Sequence, residues 1–148
     1  MTIAENGIKL IQHFESCELK SYQDGKGIWT IGWGNTQYEN GLSVKKGEVI
    51  TQQRADELFK TIVSRFDSGV TKRIRSTVTQ NMFDALVSFT YNCGFRNLDE
   101  STLLKKVNKN PNDISIREEF MKWINKGSSF ERGLTRRRKA EADLYFTA

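Results

Sequence analysis

The sequence predicts an α+β fold dominated by helices, with one small β element inserted early. Two observations carry this. After Thr51, apolar side chains recur at helical spacing almost to the end of the chain, whereas Ile28-Trp29-Thr30-Ile31-Gly32-Trp33-Gly34 is β-branched, aromatic and punctuated by glycine. One strand-like stretch followed by successive helical patterns builds a hairpin beside a helical body, not an alternating α/β sheet. The 148 residues fit one domain, and a 37% apolar content is enough for a core.

The chain opens with Thr2-x-x-Glu5, which has the form of a capping box, ahead of Ile3, Leu10, Ile11 and Phe14. These predict a first helix ending between Glu15 and Cys17. From Leu19 to Thr36 the character changes. Residues 22–27 are rich in turn formers and residues 28–34 read as the return strand of a hairpin, with room for a third short strand before Gly41-Leu42. Ala55, Leu58, Phe59, Ile62, Val63 and Phe66 keep an i, i+3, i+4 spacing and predict a long amphipathic helix from about Thr51. A second helix is expected from Thr79 to Tyr91 with Gly94 as its stop. A third covers 101–107, cut off before Pro111. Ser115-x-x-Glu118 has the spacing to cap a fourth, and Gly133-Leu134 leads into a basic terminal helix ending near Tyr145.

The formal charge of +5 favours an anionic partner: nucleic acid, acidic lipid or an anionic wall polymer. Charge does not choose among them. No apolar run reaches the ~18 residues of a membrane span, so stable membrane insertion is not expected. Residues 1–7 have neither a basic nor an apolar leader pattern, so no signal peptide is expected. Cys17 and Cys93 are expected to be free thiols. One histidine, His13, and two distant cysteines offer no metal-ligand spacing, so no metal or other cofactor is expected.

Glu15 closes the first helix, Asp24 lies in the hairpin turn, and Thr30 stands on the return strand. Cleaving a glycosidic bond needs such a set: one carboxylic acid protonates the leaving oxygen, and a second carboxylate holds a water or attacks directly. On spacing alone, a solvated helix-end glutamate and an ordinary turn aspartate are the better description of these residues.

The surrounding residues add to this. Phe14-Glu15-x3-Leu19-x2-Tyr22-x-Asp24-x2-Gly27-x2-Thr30-Ile31-Gly32-Trp33-Gly34-x-Thr36 closely resembles the signature of the phage lysozymes, glycoside hydrolase family 24. The Glu, eight residues, Asp, five residues, Thr spacing of that family is kept. Gln80-Asn81-x2-Asp84-Ala85-Leu86-Val87-Ser88-Phe89-x-Tyr91-Asn92-x-Gly94 looks like its central helix. Ser101-Thr102-Leu103-Leu104 and Gly133-Leu134-x2-Arg137-Arg138-x2-Glu141 resemble later segments, so the likeness spans nearly the whole chain.

The resemblance implies a single lysozyme-like domain, 1–148, with two lobes: a β lobe of about 15–50, and a mainly helical lobe from 1–14 and 51–148, joined by the long helix with a cleft between. Its implied substrate is the peptidoglycan glycan strand, cut at the β-1,4 bond between N-acetylmuramic acid and N-acetylglucosamine. Glu15 would be the general acid. Asp24 would hold water or stabilise the oxocarbenium charge, with Thr30 helping to place that water. Arg137 would orient Glu15, and Tyr91, Asn92 and Ser101 would contact sugar. One arginine of the 136–139 run is expected in the cleft and the others in solvent. Trp29 and Trp33 are open to either sugar stacking or packing. The implied enzyme is a monomer without cofactor, held in the host cytoplasm until a separate membrane-lesion protein releases it to the wall. Asn35 stands where the family usually has His, and Cys93 where it usually has an aliphatic residue.

Two other readings compete. A nucleic-acid-binding module would use the charge, Arg73, Arg75 and the terminal basic run, but no helix-turn-helix, RNA-stacking or zinc signature accompanies them. A catalytically silent glycan binder would have no need of Glu15, Asp24 and Thr30 together.

Overall fold

The structure, a computed structural model, describes residues 1–148. The chain runs α1 (Glu5–Glu15), β1 (Glu18–Gln23), β2 (Trp29–Gly32), α2 (Gln52–Arg73), α3 (Gln80–Cys93), α4 (Phe95–Glu100), α5 (Thr102–Lys109), α6 (Ile116–Met121) and α7 (Glu131–Tyr145). This is the helix-dominated α+β fold the patterning predicts. The chain divides into two units, Gln12–Arg65 on one hand and Met1–Ile11 with Phe66–Ala148 on the other. No helix is long and apolar enough to cross a membrane.

In Gln12–Arg65, β1 and β2 form an antiparallel hairpin pairing Tyr22 with Thr30 and Gln23 with Trp29. The register slips between Glu18 and Tyr22, a bulge that increases local twist. The third strand does not form. Gly32 and Gly34 adopt φ of 64° and 77° and turn the chain back, so Asn35 and Ile31 exchange both backbone hydrogen bonds at 2.8 and 2.9 Å. Left-handed backbone of this kind suits glycine and ends the extended run. Beyond it only isolated bridges remain, Gln37 to Ser43 and Lys20 to Val49. Ile31, Val44 and Leu58 form the core here, with Trp29, Tyr38, Ile50 and Ile62 packed against it. Leu58 comes from α2, on the apolar stripe its spacing predicts.

The other unit is built around α3, in which every residue from Met82 to Thr90 is buried. Its buried polar side chains have partners: Asp84 accepts from the Ala4 and Gly7 amides, Ser88 donates to Glu141 and Thr90 donates to the Leu86 carbonyl. Thr79 caps it by accepting from the Met82 amide at 3.2 Å, and Gly94, at φ 85°, ends it. α7 packs on α3, and α6 on α7. Phe89 meets Phe120 and Trp123 edge to face at 5.9 and 5.7 Å, and Phe120 meets Tyr145 at 5.8 Å.

Two local expectations fail because other partners take the groups involved, and one short helix carries no sequence signal. The start of α1 is not held by a Thr2 capping box. Its amides at Ala4 and Gly7 donate to the two carboxylate oxygens of Asp84, on α3, at 3.1 and 3.2 Å. Ser115 does not cap α6. Its hydroxyl donates to Asp113 at 2.8 Å and accepts from the Lys106 ammonium at 2.9 Å. The short α4, between Gly94 and Ser101, is too brief to show a period in sequence.

Candidate active site

Glu15 is the last residue of α1. Ser16 follows at φ 58°, which breaks the helix and sends the chain into β1. The Glu15 carboxyl lies directly on the α-carbon of Gly34. A Cβ built there would run into Oε1 and sit 2.8 Å from the carboxyl carbon. Gly34 is thus required twice, by its φ of 77° and by the side chain resting on it.

Asp24 opens the hairpin turn and binds it from within. Its Oδ1 accepts from the amides of Lys26 and Ile28 at 2.8 and 2.9 Å, and its carbonyl accepts from Gly27 N at 2.9 Å. Aspartate side chains commonly close turns this way. The carboxylate plane is fixed by Oδ1, while Oδ2 carries no protein hydrogen bond. Thr30, buried at 4% exposure, donates its hydroxyl proton to the Ile28 carbonyl at 2.9 Å. With the proton spent there, the oxygen offers lone pairs only. Glu15, Asp24 and Thr30 all fall in the same unit, Gln12–Arg65.

Tyr91, Asn92, Ser101 and Arg137 belong to the other unit. Tyr91 packs on Phe66 with ring centroids 5.2 Å apart. Asn92 is exposed, and its side-chain oxygen accepts from Arg138 at 2.5 Å. Ser101 is a correction. At 1% exposure it is the N-cap of α5, donating to the Leu98 carbonyl at 2.6 Å and accepting from Leu104 N at 3.1 Å. Both functions of its hydroxyl are spent inside the protein, which removes it from the sugar contacts. Arg137 is buried and bound to Glu141 at 3.3 Å and to the Ser88 carbonyl at 3.2 Å.

The basic run also needs correction, because Arg138 is not solvated. It is fully buried, paired with Glu141 at 3.0 Å, stacked over Phe89 at 5.1 Å and bonded to the Cys93 sulfur at 2.7 Å. Glu141 also accepts from Ser88 at 2.6 Å. Two arginines and a hydroxyl surround one buried carboxylate, a cluster costly to break by halves, in which Arg138 Nε and Glu141 Oε1 face each other as an ion pair without a hydrogen bond. Burial pushes the Cys93 thiol up, with Arg138 opposing. The tryptophans pack: Trp33 donates to Asp56 at 2.9 Å and meets the Phe59 ring at 6.2 Å, and Trp29 covers the hairpin core. Asn35 is buried in the backbone turn with Ile31, so its departure from the family pattern falls on a turn position. No cluster of His, Cys, Asp and Glu is arranged to hold a metal ion.

Sequence reading missed the Gly34 seat; its one trace was the glycine pair around Trp33, read only as strand punctuation.

A hairpin carrying a fixed aspartate and an acceptor hydroxyl, with a glutamate at the adjoining helix end, is a lysozyme-like arrangement. The Phage lysozyme family matches residues 12–141, and the chain belongs to that family. It is 38% identical over 149 aligned residues to the endolysin of Bacillus phage B103, covering 99% of this chain but 55% of that protein. The chain thus spans about half the length of that relative. It is 37% identical to the endolysin of Acyrthosiphon pisum secondary endosymbiont phage 1, with all of both chains covered. The solved endolysin from Escherichia coli O157:H7 phage FAHEc1 superposes with a TM-score of 0.88 at 38% identity, covering 99% of this chain and 94% of that one.

Proposed function

We propose that the chain is an endolysin that hydrolyses the β-1,4 bond between N-acetylmuramic acid and N-acetylglucosamine in peptidoglycan. The observation that carries this is the state of the hairpin groups. Asp24 presents Oδ2 from a plane fixed by two amides, and Thr30 presents an oxygen whose proton is already spent. A water donating to both would point a lone pair outward, poised for attack. Glu15 donates its proton to the glycosidic oxygen as the C1–O bond breaks. The held water adds to C1 and yields its proton to Asp24, inverting the anomeric centre.

Tyr91 and Asn92 are proposed sugar contacts, and Arg137 a supporting residue. The two units act as parts of one lysozyme-like domain. The enzyme works as a monomer, stays in the host cytoplasm, and reaches the wall through a membrane lesion made by another protein.

The test is clearing of permeabilised Gram-negative cells by the wild-type protein and by Glu15→Gln. Glutamine keeps the shape and cannot donate the proton, so activity falls by roughly 10²-fold or more with the circular-dichroism spectrum and Tm retained. Near-normal clearing by folded Glu15→Gln overturns the assignment.

A further inference from the structure

Tyr22 stands on β1 directly opposite Thr30 in the antiparallel ladder. Residues paired in this way project from the same face of a sheet. Asp24 follows Gln23, the last residue of β1, and its carboxylate is near enough to act on the Tyr22 phenol. Tyr22 is 36% exposed. Two of the other three phenols are held by acceptors within the protein: Tyr38 donates to Glu48 at 3.0 Å and Tyr145 to the Pro111 carbonyl at 2.7 Å. The Tyr22 hydroxyl has no such acceptor within the protein, and on an exposed side chain it is open to an outside partner.

Its surroundings are acidic. Burial pushes the Tyr22 phenol up, and the nearby carboxylates of Glu15, Glu18 and Asp24 push it further in the same direction. It therefore stays a neutral O–H donor across the range in which a carboxylic acid and a carboxylate work together. Asp24 Oδ2 and the Thr30 oxygen are both acceptors. The ring ether and the acetamide carbonyl of a sugar accept but do not donate, so Asp24 Oδ2 and the Thr30 oxygen leave them without a partner on this face.

We propose that Tyr22 is a further catalytic residue, donating its phenolic O–H to an oxygen of the sugar whose bond is cleaved beside Glu15 and Asp24. This rests on the glycosidase reading above. That oxygen lies on the departing side of the cleaved bond and gains negative charge as C1–O breaks, so the hydrogen bond strengthens in the transition state, and its loss falls on kcat and leaves KM nearly unchanged. No covalent change occurs at Tyr22.

The experiment compares wild type, Glu15→Gln, Tyr22→Phe and a protein with 3,5-difluorotyrosine at position 22, on solubilised peptidoglycan strands. Phenylalanine keeps the ring and its packing and removes only the hydroxyl. We expect kcat to fall about tenfold, equivalent to ~1.4 kcal/mol, with KM within about twofold and Tm unchanged. Fluorination brings ionisation of the phenol towards neutral pH, and a phenolate cannot donate. The fluorinated enzyme should lose activity at alkaline pH relative to wild type, whereas Tyr22→Phe keeps the wild-type profile shape at its lower rate. A Tyr22→Phe enzyme with wild-type kcat, or a fluorinated enzyme with the wild-type profile, overturns the proposal. If wild type cleaves the strands and Glu15→Gln does not, such a result removes Tyr22 alone; an inactive wild type removes the glycosidase reading and Tyr22 with it.

Discussion

Replacing Gly34 with alanine tests whether the seat of Glu15 matters more to activity than to folding. An L-residue held in left-handed backbone costs about 1–2 kcal/mol, and Gly34 sits at φ 77°. The new Cβ would lie 2.8 Å from the Glu15 carboxyl carbon, against the 3.4 Å at which ordinary contact begins. The carboxyl carbon must therefore retreat by about 0.6 Å (3.4 − 2.8), and Oε1, which lies nearer, by roughly 1 Å or more. A flexible side chain makes that move at little cost in stability. A catalytic group misplaced by ~1 Å loses on the order of 10²-fold in rate. Gly34→Ala should thus lose about 100-fold in kcat while its melting temperature drops only about 2–8 °C, at ~2–4 °C per kcal/mol for a chain of this size. Gly41→Ala is the control: its φ is 84°, but a Cβ there meets nothing within 4 Å. It should lose similar stability and keep its activity. Rates on solubilised peptidoglycan and calorimetric melting of both variants decide the matter. A Gly34→Ala enzyme within about threefold of wild-type kcat would refute the reasoning.

Other perturbations follow from the same geometry. Asp84→Ala strips the Ala4 and Gly7 amides of their acceptors and should cost about 2–4 kcal/mol in denaturant unfolding; unchanged stability would mean water replaces the carboxylate freely. Asp67 is 5% exposed, one of its carboxyl oxygens has no hydrogen-bond partner, and burial first, then Asp84, holds its carboxyl above the usual range. The folded state thus binds this proton more tightly than the unfolded one, so ionisation costs stability as pH rises from the unfolded value of about 3.9 through the folded one. Asp67→Asn should raise Tm at pH ~7, with the gain vanishing below pH ~3.9; a lower Tm at neutral pH would contradict this. Proton NMR of freshly cut strands should show the α-anomer first, and an initial β-anomer would make Asp24 or the substrate acetamide the nucleophile.

The sequence by itself determined whatever depends on neighbours a few residues apart. The apolar stripe of α2, the Thr79 cap and Gly94 stop of α3, and the turn held by Asp24 all follow from interactions within about four positions, and such interactions are written in local spacing. The order Glu15, Asp24, Thr30 is local too, since one helix end and one hairpin contain all three, but only the resemblance to the phage lysozymes gave that order a meaning. The tertiary structure decided what depends on distant partners. The start of α1 is held by Asp84, about eighty positions away in the chain, and no pattern at Thr2 can reveal that. Arg138 read as one more solvated charge, yet Glu141, Phe89 and Cys93 surround it. Gly34 looked like strand punctuation, and only the fold laid the Glu15 carboxyl across it. In each case a polar group or a vacant α-carbon met its partner through packing, and packing brings together residues whose separation in sequence carries no period.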